Sequence, residues 1–98
     1  MNETPEPAHL NNHHADTLTA IFQHPTSHNI RWADLVSLLE AIAEVDVRHN
    51  GKYHVVLGDQ TIVLDVPHER DLVEQQVIDM RHFLQRAGYT GKEAGKED

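Results

Sequence analysis

The stretch RHNGKYHVVLGDQTIVLDVPH, from Arg48 to His68, constrains the fold more than any other part of the chain. It holds two turn signals, Asn50-Gly51 and Gly58-Asp59, set among residues that alternate in polarity. Side chains alternate faces along a strand, so turn length and alternation together fix a register. A two-residue loop at Asn50-Gly51 would set Val47 opposite His54 and mix the two faces. A three-residue loop, His49-Asn50-Gly51, with Gly51 in the left-handed bulge position, sets Val47 opposite Tyr53 and Val45 opposite Val55. A two-residue Gly58-Asp59 loop then sets Val55 opposite Ile62 and Tyr53 opposite Leu64. Both hairpins agree on one apolar face. The other face carries Asp46, Arg48, Lys52, His54, Val56, Thr61, Val63 and Asp65.

Helical periodicity flanks this meander. Leu18, Ile21 and Phe22 lie at helical spacing within Ala15 to His24, and Pro25 follows. Trp32, Leu35, Val36, Leu39, Ile42 and Ala43 form a second apolar stripe, with Asp34, Ser37 and Glu40 opposite. That stripe starts late enough to make Ile30 and Arg31 an extended lead-in. After Pro67-His68, a third stripe runs through Leu72, Val73, Val77, Met80, Leu84 and Ala87, with Gln76 and Phe83 at its margins. Gly88 is a helix-stop signal, and Arg86 suits a C-terminal turn. Two amphipathic helices can cover the single apolar face of three strands. The expected fold is therefore an α+β two-layer sandwich. A three-stranded antiparallel sheet has two helices on one face, in the order α-β-β-β-α, with an extra helix in front. Residues 1–14 read as a flexible arm, 15–89 as the domain, and 90–98 as a disordered tail, because both ends are polar and poor in apolar groups.

Composition narrows the function classes. The chain has 98 residues and a formal charge of −8, and no cysteine, so disulfides, thiol catalysis and cysteine-held zinc are excluded. Between Ser27 and Tyr89, six basic residues face ten acidic ones. Strong nonspecific nucleic-acid binding rests on basic charge releasing counterions, which this balance does not favour. No apolar run approaches the roughly 18 residues of a membrane span, and no secretion signal opens the chain, so the expectation is a cytoplasmic protein.

Several stretches in this order carry a resemblance. IRWADLVSLLEAI leads into the hairpin HNGKYHVVL, TIVLDVPH closes the third strand, and MRHFLQRAGY ends the last helix. From Ile30 to Tyr89 the chain resembles the HicA family, small toxins of bacterial toxin–antitoxin pairs with a fold like the double-stranded RNA-binding domain. The resemblance implies a metal-independent endoribonuclease that cuts messenger RNA, uses no cofactor, and is covered by a HicB-type antitoxin. It also implies a histidine on the second strand as the catalytic group. A 2′-hydroxyl attacks its neighbouring phosphate when a base takes its proton, and histidine titrates in the right range. The family's Gly-Ser-His is absent here, and Gly51-Lys52-Tyr53-His54 stands in its place. Aligning the glycines sets Tyr53, an inward residue, at the histidine's position. Allowing for the bulge sets Lys52 there, and His54 lies one alternation further along the open face.

His54 is accordingly the candidate catalytic residue. Arg48, Lys52, His68 and Arg70 are the candidate residues for binding RNA or a partner. The plainer alternatives are a solvated strand histidine at 54, a helix-capping His68, a core or lid Trp32, and turn histidines at 28 and 49. His9, His13, His14 and His24 cluster in sequence, but nothing there fixes the tetrahedral geometry of zinc, and no metal is expected. Three functions remain open: a HicA-like ribonuclease, a HicA-like interaction module without catalysis, and an unrelated small α+β domain. The exposed pair Val56 and Val63 suits a protein contact as well as RNA.

Overall fold

The computed structural model describes residues 11–27 and 29–91. Three strands, β1 (Glu44–Val47), β2 (Tyr53–Leu57) and β3 (Gln60–Leu64), form one antiparallel sheet in the order β1-β2-β3. Val47 pairs with Tyr53 and Val45 with Val55; Val55 pairs with Ile62 and Tyr53 with Leu64. This is the register that separates the two faces. Gly51 has φ +87, and its N–H donates to the Arg48 carbonyl at 2.8 Å, while Arg48 N–H donates to the Lys52 carbonyl at 2.9 Å. The first hairpin thus turns through His49-Asn50-Gly51, with glycine at the position that disfavours a Cβ. Gly58 has φ +63 and opens the second, two-residue turn.

The Arg48–Lys52 bond also sets which backbone groups point where. Even-numbered residues of β2 turn their amides to β1, so Tyr53, Val55 and Leu57 exchange bonds with β3. Thr61 and Val63 are left with their own N–H and C=O groups directed outward from the sheet edge.

Three helices complete the chain: α1 (Asn12–Phe22), α2 (Trp32–Ile42) and α3 (Glu74–Arg86). Helix α2 packs on the β1 side of the sheet and α3 on the β3 side, while α1 packs on α2 and α3. The core contains Trp32, Leu35, Leu39, Val55, Leu64, Val77, Met80 and Leu84, all buried. Trp32 meets the Tyr53 ring edge-on at 5.0 Å, so it is a core residue. The opposite sheet face is open.

Four details depart from the sequence expectations. Leu38, absent from the expected stripe, is fully buried. It lies on the side of α2 that carries Asp34 and Ser37, and both of these bond to α1; α1 therefore gives α2 a second covered face. Val47 and Val66 belong to the apolar sheet face yet are 55% and 40% exposed, because they lie at its ends. Helix α3 begins at Glu74, later than its apolar stripe. Residues 70–72 instead pair with the lead-in: Trp32 N–H donates to the Arg70 carbonyl, and Leu72 N–H to the Ile30 carbonyl, each at 2.8 Å. Val73, counted in that stripe, is an exposed helix cap. Finally, α1 starts at Asn12, so residues 12–14 of the expected arm are helical; the Asn11 side chain caps it by accepting from His14 N–H at 2.8 Å.

The C-terminal stop of α3 follows its sequence signal. Gly88 has φ +102, Tyr89 N–H donates to the Leu84 carbonyl at 2.9 Å, and Gly88 N–H to the Gln85 carbonyl at 3.0 Å. These two bonds make a Schellman cap.

Candidate functional site

The open sheet face brings together three of the five candidate residues. β2 carries His54 between Asp46 on β1 and Val63 on β3. The first hairpin carries Arg48 and Lys52 at the same end of the sheet. Strand alternation holds all three on the side away from the helices. His54 is half-buried, and among the described residues no hydrogen bond to its ring is present.

Both cations are already engaged. Arg48 Nε lies 2.6 Å from Asp46 Oδ2, and Lys52 Nζ lies 2.5 Å from Asp65 Oδ1. With Glu44 beyond them, carboxylates outnumber cations on this face. A phosphate approaching it meets a carboxylate beside each cation, so the face offers it no net positive charge. The one carboxylate opposite His54, Asp46, is taken by Arg48, so it is not held against the imidazole as an acid–base partner would be. At the centre and far end, Val56 and Val63 are 38% and 48% exposed.

His68 and Arg70 lie elsewhere, in the connection between β3 and α3. Both are exposed, and among the described residues no contact links either to His54. His68 does not cap α3. The helix cap is Val73, whose N–H donates to Gln76 Oε1 at 3.1 Å, while His68 lies in the earlier turn that Arg70 N–H closes on the Pro67 carbonyl at 3.2 Å. Arg70 serves the fold through its backbone, accepting from Trp32, and has φ +67. Among the described residues, no hydrogen bond or ion pair joins His68 or Arg70 to Arg48 or Lys52.

Sequence reading missed the polar residues that join α1 to the rest. Arg81 is buried; its Nε donates to the Ile21 carbonyl at 2.9 Å, and its Nη2 to the Gln23 carbonyl and Thr26 Oγ1, each at 3.3 Å. A cation thus sits at the C-terminus of α1, where the helix dipole favours it. His13 Nε2 lies 2.9 Å from Asp34 Oδ1, and His14 Nε2 lies 2.8 Å from Ser37 Oγ. The only sequence signal for Arg81 is a charge placed between Met80 and Phe83 on an apolar stripe. His13 and His14 gave none. Among the described residues, no three His, Asp or Glu side chains converge as a metal ion would need, and no helix is long and apolar enough to cross a membrane.

Comparison with known proteins found no matching family model, no matching curated protein and no matching solved structure.

Proposed function

We propose that the chain is a HicA-like interaction module that docks a protein of the HicB-antitoxin type on its open sheet face, without cutting RNA. The observation that carries this reading is the pairing of the face's two cations with Asp46 and Asp65. A nuclease face needs free cations for the backbone phosphates. A protein interface is served by an apolar centre, Val56 and Val63, within a rim of satisfied ion pairs. The absence of Gly-Ser-His and the lack of a second acid–base group held against His54 support the same conclusion.

A second reading keeps the ribonuclease. It rests on His54 lying on the open face of the middle strand, directly opposite a carboxylate in register.

Induced expression separates the two. Wild type and His54→Ala are compared for growth arrest, with total RNA run on a gel. The module reading expects no arrest and intact RNA from a folded, expressed protein. It also expects co-purification with a HicB-type protein encoded in an adjacent frame, lost on Val56→Arg. Arrest with RNA loss that His54→Ala abolishes would establish the ribonuclease and sink the module.

A further inference from the structure

The β3 edge and the flank of α3 beside it form a surface whose charges complement themselves under a two-fold rotation. We propose that two copies of this chain pair their β3 strands antiparallel about Ile62, making one continuous six-stranded sheet.

Thr61 and Val63 direct their N–H and C=O groups outward, and Val63 is half exposed. An unpaired strand edge is a template for another strand. Antiparallel pairing centred on Ile62 sets Thr61 of each copy opposite Val63 of the other. Each such pair exchanges two hydrogen bonds, so four form in all. A cleft of about 390 Å³ separates β3 from the flank of α3, holding the helix back from the edge.

The occupant follows from charge. The cleft is lined by Asp65 and Asp79 at one end and by His82 and Arg86 at the other. Gln76 Nε2 donates to the Asp65 carbonyl at 2.9 Å, which ties the start of α3 to the end of β3; the helix then runs back along the strand. From Asp65 to Ile62 is about 10 Å of strand. A helix covers that distance in about seven residues. Ile62 is therefore level with His82 and Phe83, midway between Asp79 and Arg86. A two-fold axis at Ile62 brings Asp79 of one copy level with Arg86 of the other, twice. Among the described residues, Asp79 Oδ1 accepts only from Gln75, at 2.8 Å, and Arg86 has no carboxylate at ion-pair distance. The other edge offers no such match. Pairing β1 with its own copy through the outward-directed Val45 and Val47 centres the axis on Asp46 and sets its two carboxylates together. Closed two-fold pairing is the commonest way for a chain to assemble with itself. This inference is independent of what the open face binds, since the chain alone suffices to test it.

Sedimentation equilibrium of the full chain at sub-millimolar concentrations should give a dimer. Val63→Pro removes one outward N–H and no β2–β3 bond, so it should give a monomer with unchanged far-UV circular dichroism. Asp79→Arg and Arg86→Asp should each raise the dissociation constant about tenfold or more by setting like charges together. The double exchange should bring it back to within a few-fold of wild type. A wild type that stays monomeric overturns the proposal. So does a double exchange weaker than either single change. If Val63→Pro does not fold, the charge exchange decides alone.

Discussion

A guanidinium that satisfies two carbonyls and a hydroxyl at the end of another helix is a costly group to remove. Replacing Arg81 by Met keeps its apolar stem but leaves the Ile21 and Gln23 carbonyls without a donor. Bonds to charged groups contribute about 1.5–3 kcal/mol each way. Urea denaturation of Arg81→Met should therefore show a loss of about 2 kcal/mol. Arg81→Lys should recover little of it, because one ammonium cannot span three acceptors. Arg70 gives the opposite sign. Its φ of +67 is a left-handed conformation that costs a residue with a Cβ about 1–2 kcal/mol. Arg70→Gly relieves that strain and adds back some unfolded-state entropy. It should be neutral to about 1 kcal/mol stabilising in the same assay, and Arg70→Val should be clearly destabilising. Gly91 is confined more tightly. It has φ +91, and a Cβ there would come within 2.8 Å of Phe22, so the residue before the C-terminal stretch lies against α1.

Helix α1 decides whether the domain ends at its sheet and two helices or includes a third. Leu18 and Ile21 are fully buried, and burying Leu38 needs α1 in place. Leu18→Ala should then cost about 3 kcal/mol. Trp32 is the sole tryptophan and reaches into the core from the first turn of α2. Its fluorescence and the far-UV signal of Leu18→Ala should fall together in one transition at lower denaturant; an unshifted Trp32 transition would make α1 an appendage. The sheet was legible in the sequence down to its register, because both of its determinants are local. Turn glycines fix loop length, and alternation fixes the face. What stayed illegible depends on partners far along the chain. The stripe from Leu72 runs smoothly into α3, yet residues 70–72 give their backbone to residues 30–32. Leu38 looks like a misplaced leucine until α1 supplies a neighbour. In the candidate site, the faces of Arg48, Lys52 and His54 could be read directly. The Lys52–Asp65 pair was implicit there too, because the same register sets the two directly opposite each other on the open face.

The whole molecule carries a formal charge of −8, and its open face adds no free basic stripe. Filter binding to a mixed-sequence RNA at physiological salt should show no retention, and lowering the salt should gain little, since few counterions are released. Steep salt-dependent binding would return the ribonuclease reading to first place. The clasp between Ile30 and Leu72 bears on how the molecule comes apart. Its two hydrogen bonds join residues 38 and 42 positions apart and shut α2 and all three strands into one closed loop. Ile30 and Leu72 are both buried, so opening the clasp exposes core surface and has no cheap partial route. The amides of Trp32 and Leu72, although they belong to connecting segments rather than to the sheet, should exchange with solvent only as slowly as the core unfolds. The clasp also leaves Arg31 and Asp71 side by side, so the chain enters and leaves the unit of α2 and the sheet at a single point on the molecule.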